Sequence, residues 1–244
     1  FVGSYAWAAG GKWSAAALIK AQGVWVVLQR LIRQGEKNLR PLLIQAVLGR
    51  EAVALWSFAE KVLTYAVSIF PIDDVLMPTI AHERSDRDRL HVLLERGIKY
   101  TIPFYAIIAV AVAASIGPLV HHAFPAYSAG LPLVYVLCAY IPFTGLAYLM
   151  TSFYVSHQEQ RRSFWLIVAR FCSSLILLPT LCYFLGPIGA SVEFFIDILA
   201  YNLFRFRFLV ASYPELGFDA RRLFKFDSTD RDFLNRAKRY LLKR

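Results

Sequence analysis

The chain has 244 residues, of which 57% are hydrophobic, and a mean hydropathy of +0.47. That balance is too apolar for an ordinary soluble domain. A net charge of +10 would suit nucleic acid, but the cations gather in gaps between apolar runs. Such segregation orients membrane proteins, and no nucleic-acid partner is expected.

The sequence opens at Phe1 and holds methionine only at Met77 and Met150, with no short basic leader at its front. It reads as a piece of a longer protein, residues 1–14 being a truncated N-terminal segment. A first helical stretch, 15–46, carries Arg30, Arg33, Lys37 and Arg40 three or four residues apart. At roughly 100° per residue these cations fall within an arc of about 80°. Five further runs, 52–80, 97–120, 130–155, 163–184 and 187–211, are each long enough, at roughly 20 residues or more, to cross a bilayer as helices. Pro71, Pro78, Pro103, Pro118, Pro142 and Pro179 lie within or at the ends of these runs. Neighbouring helices re-satisfy the carbonyls that proline frees, and such sites often kink. The expected fold is all-α: a polytopic membrane helix bundle of about six transmembrane helices over residues 15–211.

The connections alternate in charge. Arg84, Arg87, Arg89, Arg96 and Lys99, then Arg161 and Arg162, then the C-terminal tail make one side basic. The stretches 48–51, 121–130 and 185–187 carry little net charge. The basic side is expected to be cytoplasmic, the C-terminus included. Five helices would alternate in the same way, so this rule does not decide whether 15–46 spans. In the basic cytoplasmic tail, 212–244, Phe233, Leu234, Ala237, Tyr240 and Leu241 recur at helical spacing among Arg231, Arg236, Lys238 and Arg239. That pattern suits anionic lipids of the inner leaflet.

Charge at membrane depth is costly, so a cationic stripe in a spanning helix faces a bundle interior or a water-filled cavity, and a cavity so lined takes an anionic passenger. Arginine suits a diphosphate because its planar fork makes bidentate contacts and stays charged. Glu36 stands within i,i+3 and i,i+4 reach of Arg33 and Arg40. Gly35 and Pro41 give the helix two weak points. The alternative is an interfacial basic helix over 22–40 whose side chains snorkel to headgroups. On the last run Glu193 and Asp197 are i,i+4 and share a face. Two close carboxylates rarely both stay ionised, so this pair could carry a coupling proton or cation. Asp73 is a further candidate, and a structural pairing with Arg170 or another buried cation is the alternative for the pair. His121 and His122 have neither further ligands nor a catalytic partner and read as part of an interfacial turn. Cys138, Cys172 and Cys182 lack metal spacing. Gly-rich phosphate loops, Gly-x-Ser-x-Gly elbows and Cys-x-x-Cys pairs are absent. No catalytic residue, metal site or cofactor is expected.

Several stretches together resemble the multidrug/oligosaccharidyl-lipid/polysaccharide exporter superfamily, particularly its O-antigen and exopolysaccharide flippases. Val47-Leu48-Gly49 followed by Val53-Ala54-Leu55-Trp56-Ser57-Phe58-Ala59 resembles the turn into the second helix of the C-terminal lobe. Met77-Pro78-Thr79-Ile80-Ala81 resembles that helix's proline-containing end. Phe124-Pro125-Ala126-Tyr127 is similar to a Phe-Gly-x-x-Tyr outer turn, with Pro125 replacing the usual glycine and the tyrosine one position early. Gly186-Pro187-Ile188-Gly189-Ala190-Ser191 resembles the small-residue start of the last helix.

The resemblance implies two pseudo-symmetric lobes of six helices around a central cavity, worked by alternating access in the bacterial inner membrane. This chain would be the second lobe, the N-terminal lobe being missing. In related flippases the first helix of each lobe lines the cavity and cavity arginines meet the lipid diphosphate. Residues 15–46 occupy that place, so the resemblance supplies the spanning assignment. It implies a flippase for an oligosaccharide linked to undecaprenyl diphosphate, serving lipopolysaccharide or exopolysaccharide synthesis, with no bond chemistry and hence no enzyme. A cation-coupled drug exporter of the same superfamily would favour an acidic cavity. A membrane-embedded polysaccharide polymerase or ligase would need a large outer loop, and the outer connections here are short.

Overall fold

The computed structural model describes residues 23–68, 80, 87–156 and 159–212. Asp73, the segment 1–14 and the tail beyond Ser212 lie outside the described residues. Seven α-helices and one 3-10 helix follow in order: α1 Val24–Leu48, α2 Arg50–Ser68, α3 Arg87–Ala123, the 3-10 helix Pro125–Gly130, α4 Leu131–Cys138, α5 Ile141–Ser156, α6 Gln160–Leu185 and α7 Pro187–Ser212. Among the described residues there is no strand. The chain is an all-α membrane helix bundle.

Leu93–Ala123 within α3 and the whole of α6 are each long and apolar enough to cross a membrane. Pro125–Cys138 and Ile141–Val155 qualify together as one span bent by 49°. The expected single run over 130–155 is therefore divided. Pro142 explains the break, since it has no N–H to donate to residue 138 and its ring crowds that carbonyl. The chain turns there through Tyr140 N donating to Leu137 O at 3.0 Å and Phe143 N donating to Tyr140 O at 2.9 Å.

Two connections are single glycines, Gly49 with φ 86° and Gly186 with φ 62°, in the left-handed region that other L-residues rarely adopt. Three residues on, Gly189 lets the first turn of α7 lie directly on α6, because a Cβ there would overlap the Leu181 carbonyl. Near the Gly49 turn the 3-10 helix closes against α2, with Gly130 on Leu55 and Tyr127 stacked on Phe58 at 4.9 Å.

The larger apolar core holds Ile44, Trp56, Leu133, Leu137, Leu178 and Cys182. A second cluster, with Leu94, Ile98, Leu149, Met150, Phe153 and Leu209, joins α3, α5 and the far end of α7. Other apolar side chains stay outward, among them Ile107, Val110, Ile176 and Phe184. Lipid tails solvate such a surface as well as protein does.

The helix bearing the cationic stripe is part of this bundle. Gln29 Nε2 of α1 donates to the Gln160 carbonyl at 2.8 Å and to Gln160 Oε1 at 3.1 Å. Further along, Glu36 meets Arg170 and Arg40 donates to Ser174 Oγ at 3.4 Å. Both sequence numbers rise together, so α1 runs parallel to α6.

Candidate functional site

Helical periodicity puts Gln29, Glu36, Arg40 and Ile44 on one edge of α1, and that edge is buried. It faces α6 and α7, where the buried carboxylates and the partly buried Arg170 await it. Arg40 pairs with Glu193 through Nη1 and reaches Glu36 through Nη2 at 3.5 Å. Its guanidinium also lies over the rings of Trp56 and Phe194, at 5.5 and 5.2 Å from their centroids. Arg170 pairs with Glu36 and stands 3.3 Å from Asp197. Ser173 Oγ donates to Asp197 Oδ1 at 3.4 Å.

Glu36, Arg40, Arg170, Glu193 and Asp197 thus form one network across α1, α6 and α7, with three carboxylates and two guanidiniums. In a low-dielectric interior each charge needs an opposite partner or additional hydrogen bonds. Glu193, with a relative exposure of 0%, uses one carboxylate oxygen on Arg40, while its Oε1 has no hydrogen-bond partner among the described residues. The network therefore ties α1 to the α6–α7 hairpin while holding one carboxylate more than its guanidiniums neutralise.

The cationic stripe divides. Arg40 turns inward, 5% exposed, whereas Arg30, Arg33 and Lys37 are exposed and form no ion pair among the described residues. The arc of about 80° straddles the margin of the packed edge. Periodicity alone does not place that margin; only the neighbours of α1 do.

Glu193 and Asp197 share a buried face of α7, and each stands beside an arginine. The pairing with Arg170 that the sequence left as an alternative is thus present for Asp197. His121 and His122 belong to the last turn of α3 rather than to the turn that follows. His122 Nδ1 lies 2.9 Å from the Pro118 carbonyl and His121 Nδ1 lies 3.5 Å from Ser128 Oγ. No metal-binding group of His, Cys, Asp and Glu occurs among the described residues.

Arg205 was not among the charged residues that the sequence singled out. It is 2% exposed on α7 and sandwiched between the rings of Tyr154 and Tyr201, at 4.8 and 5.0 Å. A signal for it exists, since Glu193, Asp197, Tyr201 and Arg205 recur every four residues and so line one face of α7.

Ionised side chains sealed between helices whose outer faces are apolar define an integral membrane helix bundle. A sequence model of a family described as "polysaccharide biosynthesis protein" matches residues 3–125, about half of the chain. The chain belongs to that family. The matched segment takes in the whole of α1, α2 and α3, and with them the whole cationic stripe. No curated protein and no solved structure matches the chain significantly.

Proposed function

We propose that the chain is the C-terminal lobe of a flippase, residues 15–211, moving a lipid-diphosphate-linked oligosaccharide across the bacterial inner membrane by alternating access. One observation carries this. Among the described residues Arg30, Arg33 and Lys37 stand unpaired on the exposed flank of a helix that packs parallel to an apolar helix long enough to cross a membrane. In a bilayer that flank cannot face acyl chains. It faces the water-filled space that this lobe shares with an N-terminal lobe, where three cations meet a diphosphate as charge-assisted hydrogen-bond donors. Membership of a polysaccharide biosynthesis family supports the sugar-bearing cargo. The basic C-terminal segment 212–244 lies on the cytoplasmic side against anionic lipids.

A drug exporter taking cationic substrates is disfavoured by the sign of this flank. A polymerase or ligase is disfavoured by the described connections, since Gly49 and Gly186 are one-residue breaks and the stretch after α3 is a 3-10 turn. The work is binding and conformational change, without bond chemistry. Glu193 and Asp197 are the seat of ion coupling in this mechanism, because a network with an excess carboxylate has room for one proton or cation.

The test is single replacement of Arg30, Arg33, Lys37 and Arg40 by Gln in the whole protein, following surface polysaccharide. Loss of export is expected, at normal protein level for the Arg30, Arg33 and Lys37 variants. Wild-type export from all four variants would sink the proposal.

A further inference from the structure

We infer that Arg205, with Asn202 and Tyr201, is a phosphate-binding subsite that α7 contributes to the lobe. The inference rests on the flippase function proposed above and extends its anion site to a helix that the stripe does not include.

Arg205 is a full positive charge closed off from solvent. Among the described residues its side chain donates from Nη1 to Thr151 Oγ1 at 3.1 Å, and its Nε has no hydrogen-bond partner. No carboxylate pairs with it among the described residues. The other charged side chains acting on it, those of Arg33 and Arg170, are cations as well. Asp197 stands two turns back on α7, about 12 Å away along the axis, and is already engaged by Arg170 at 3.3 Å. The excess carboxylate of the network is therefore held from Arg205 by that distance.

The neighbours of Arg205 are equally unsatisfied. Asn202 is 1% exposed, yet among the described residues neither its Nδ2 nor its Oδ1 has a partner, and Tyr201 Oη has none. Buried polar atoms are nearly always hydrogen-bonded, because leaving them bare costs their hydration without return. Here an uncompensated guanidinium, a bare carboxamide and a bare phenol cluster on adjacent turns of one helix, within electrostatic range of an exposed arginine. All three can donate, and a guanidinium fork fits two phosphate oxygens at once. A phosphate group would satisfy the charge and the donors together.

The test uses the whole protein in phosphatidylcholine nanodiscs, titrated with inorganic pyrophosphate and with farnesyl diphosphate, alongside Arg205→Met, Arg205→Lys and Asn202→Leu. Arg205→Met should weaken both ligands at least tenfold while the melting temperature stays level or rises, because it exchanges an unpaired buried charge for an apolar side chain of similar length. Arg205→Lys should fall between the two, keeping the charge without the fork. Asn202→Leu should weaken binding severalfold. Unchanged affinity in Arg205→Met overturns the inference, and so does a large fall in its melting temperature, which would make Arg205 a structural tie. Should that variant not be obtained folded, unchanged affinity in Asn202→Leu overturns it instead. A wild type that binds, loses affinity on Arg33→Gln and ignores Arg205→Met rejects the subsite but leaves the stripe intact. A wild type that binds neither ligand rejects the flippase function itself. Nanodiscs containing phosphatidylglycerol separate the phosphate sources: competition with pyrophosphate that Arg205→Met abolishes assigns the subsite to a lipid headgroup, and its absence assigns it to the diphosphate cargo.

Discussion

Arg40 of α1 and Glu193 of α7 form an ion pair beneath the rings of Trp56 and Phe194, sealed from solvent although the two residues are 153 positions apart. The contact joins the helix carrying the cationic stripe to the last helix of the bundle. Within the flippase proposal, α1 can move only if this pair opens or travels with it.

Arg40→Gln leaves Glu193 buried without its cation and should destabilise the protein by about 3–5 kcal/mol, read as a lower melting temperature in detergent. Adding Glu193→Gln removes the stranded charge and should restore part of the loss. A double variant no more stable than Arg40→Gln alone would show that the pair contributes no coupling energy.

Arg30→Gln, Arg33→Gln and Lys37→Gln should behave in the opposite way. These side chains are exposed and form no ion pair among the described residues, so the melting temperature should hold while affinity for pyrophosphate falls and its salt dependence flattens. Equal destabilisation by Arg40→Gln and Arg33→Gln would contradict the division of the stripe.

The imbalance between carboxylates and guanidiniums predicts an asymmetry. Asp197→Asn brings the network to equal numbers and should be tolerated within about 1 kcal/mol, whereas Arg170→Gln strands two carboxylates and should cost about 3–5 kcal/mol. With Glu193 and Asp197 as the coupling pair, Asp197→Asn should also abolish the response of transport to an imposed proton or sodium gradient. Retained gradient dependence in that variant would remove Asp197 from coupling.

Gly189→Ala places a methyl group against the Leu181 carbonyl of α6 and should cost about 1–3 kcal/mol through overpacking. Chemical denaturation of the purified protein would measure it. A neutral result would mean that the hairpin relaxes without penalty.

Much of the fold was legible from hydropathy. Runs of sufficient length had to be helices, since backbone groups in lipid must be satisfied within the segment, and α2, α3, α6 and α7 overlap the runs so delimited. The bend at residues 139–140 was only half legible: Pro142 announces a weak point, but its 49° angle follows from what the two halves pack against.

The candidate site was legible in part. Four cations on one face of α1, and two carboxylates on one face of α7, follow from spacing along single helices. Which of the cations turns inward does not, because an arc of about 80° can sit either side of a contact edge. Arg205 lay in the same four-residue series as Glu193 and Asp197, and its lack of a carboxylate partner among the described residues emerges only once its neighbours are in place.

By itself the sequence determined that this is a membrane helix bundle with a cationic stripe, because length, apolarity and helical period act locally. Tertiary structure alone decided that Arg40 is consumed by Glu193 and Glu36 while Arg30, Arg33 and Lys37 remain exposed. The physical reason is that pairing depends on distance through space: α1 meets its carboxylate partner on α7 only after α6 and α7 have folded back through Gly186 and packed at its side.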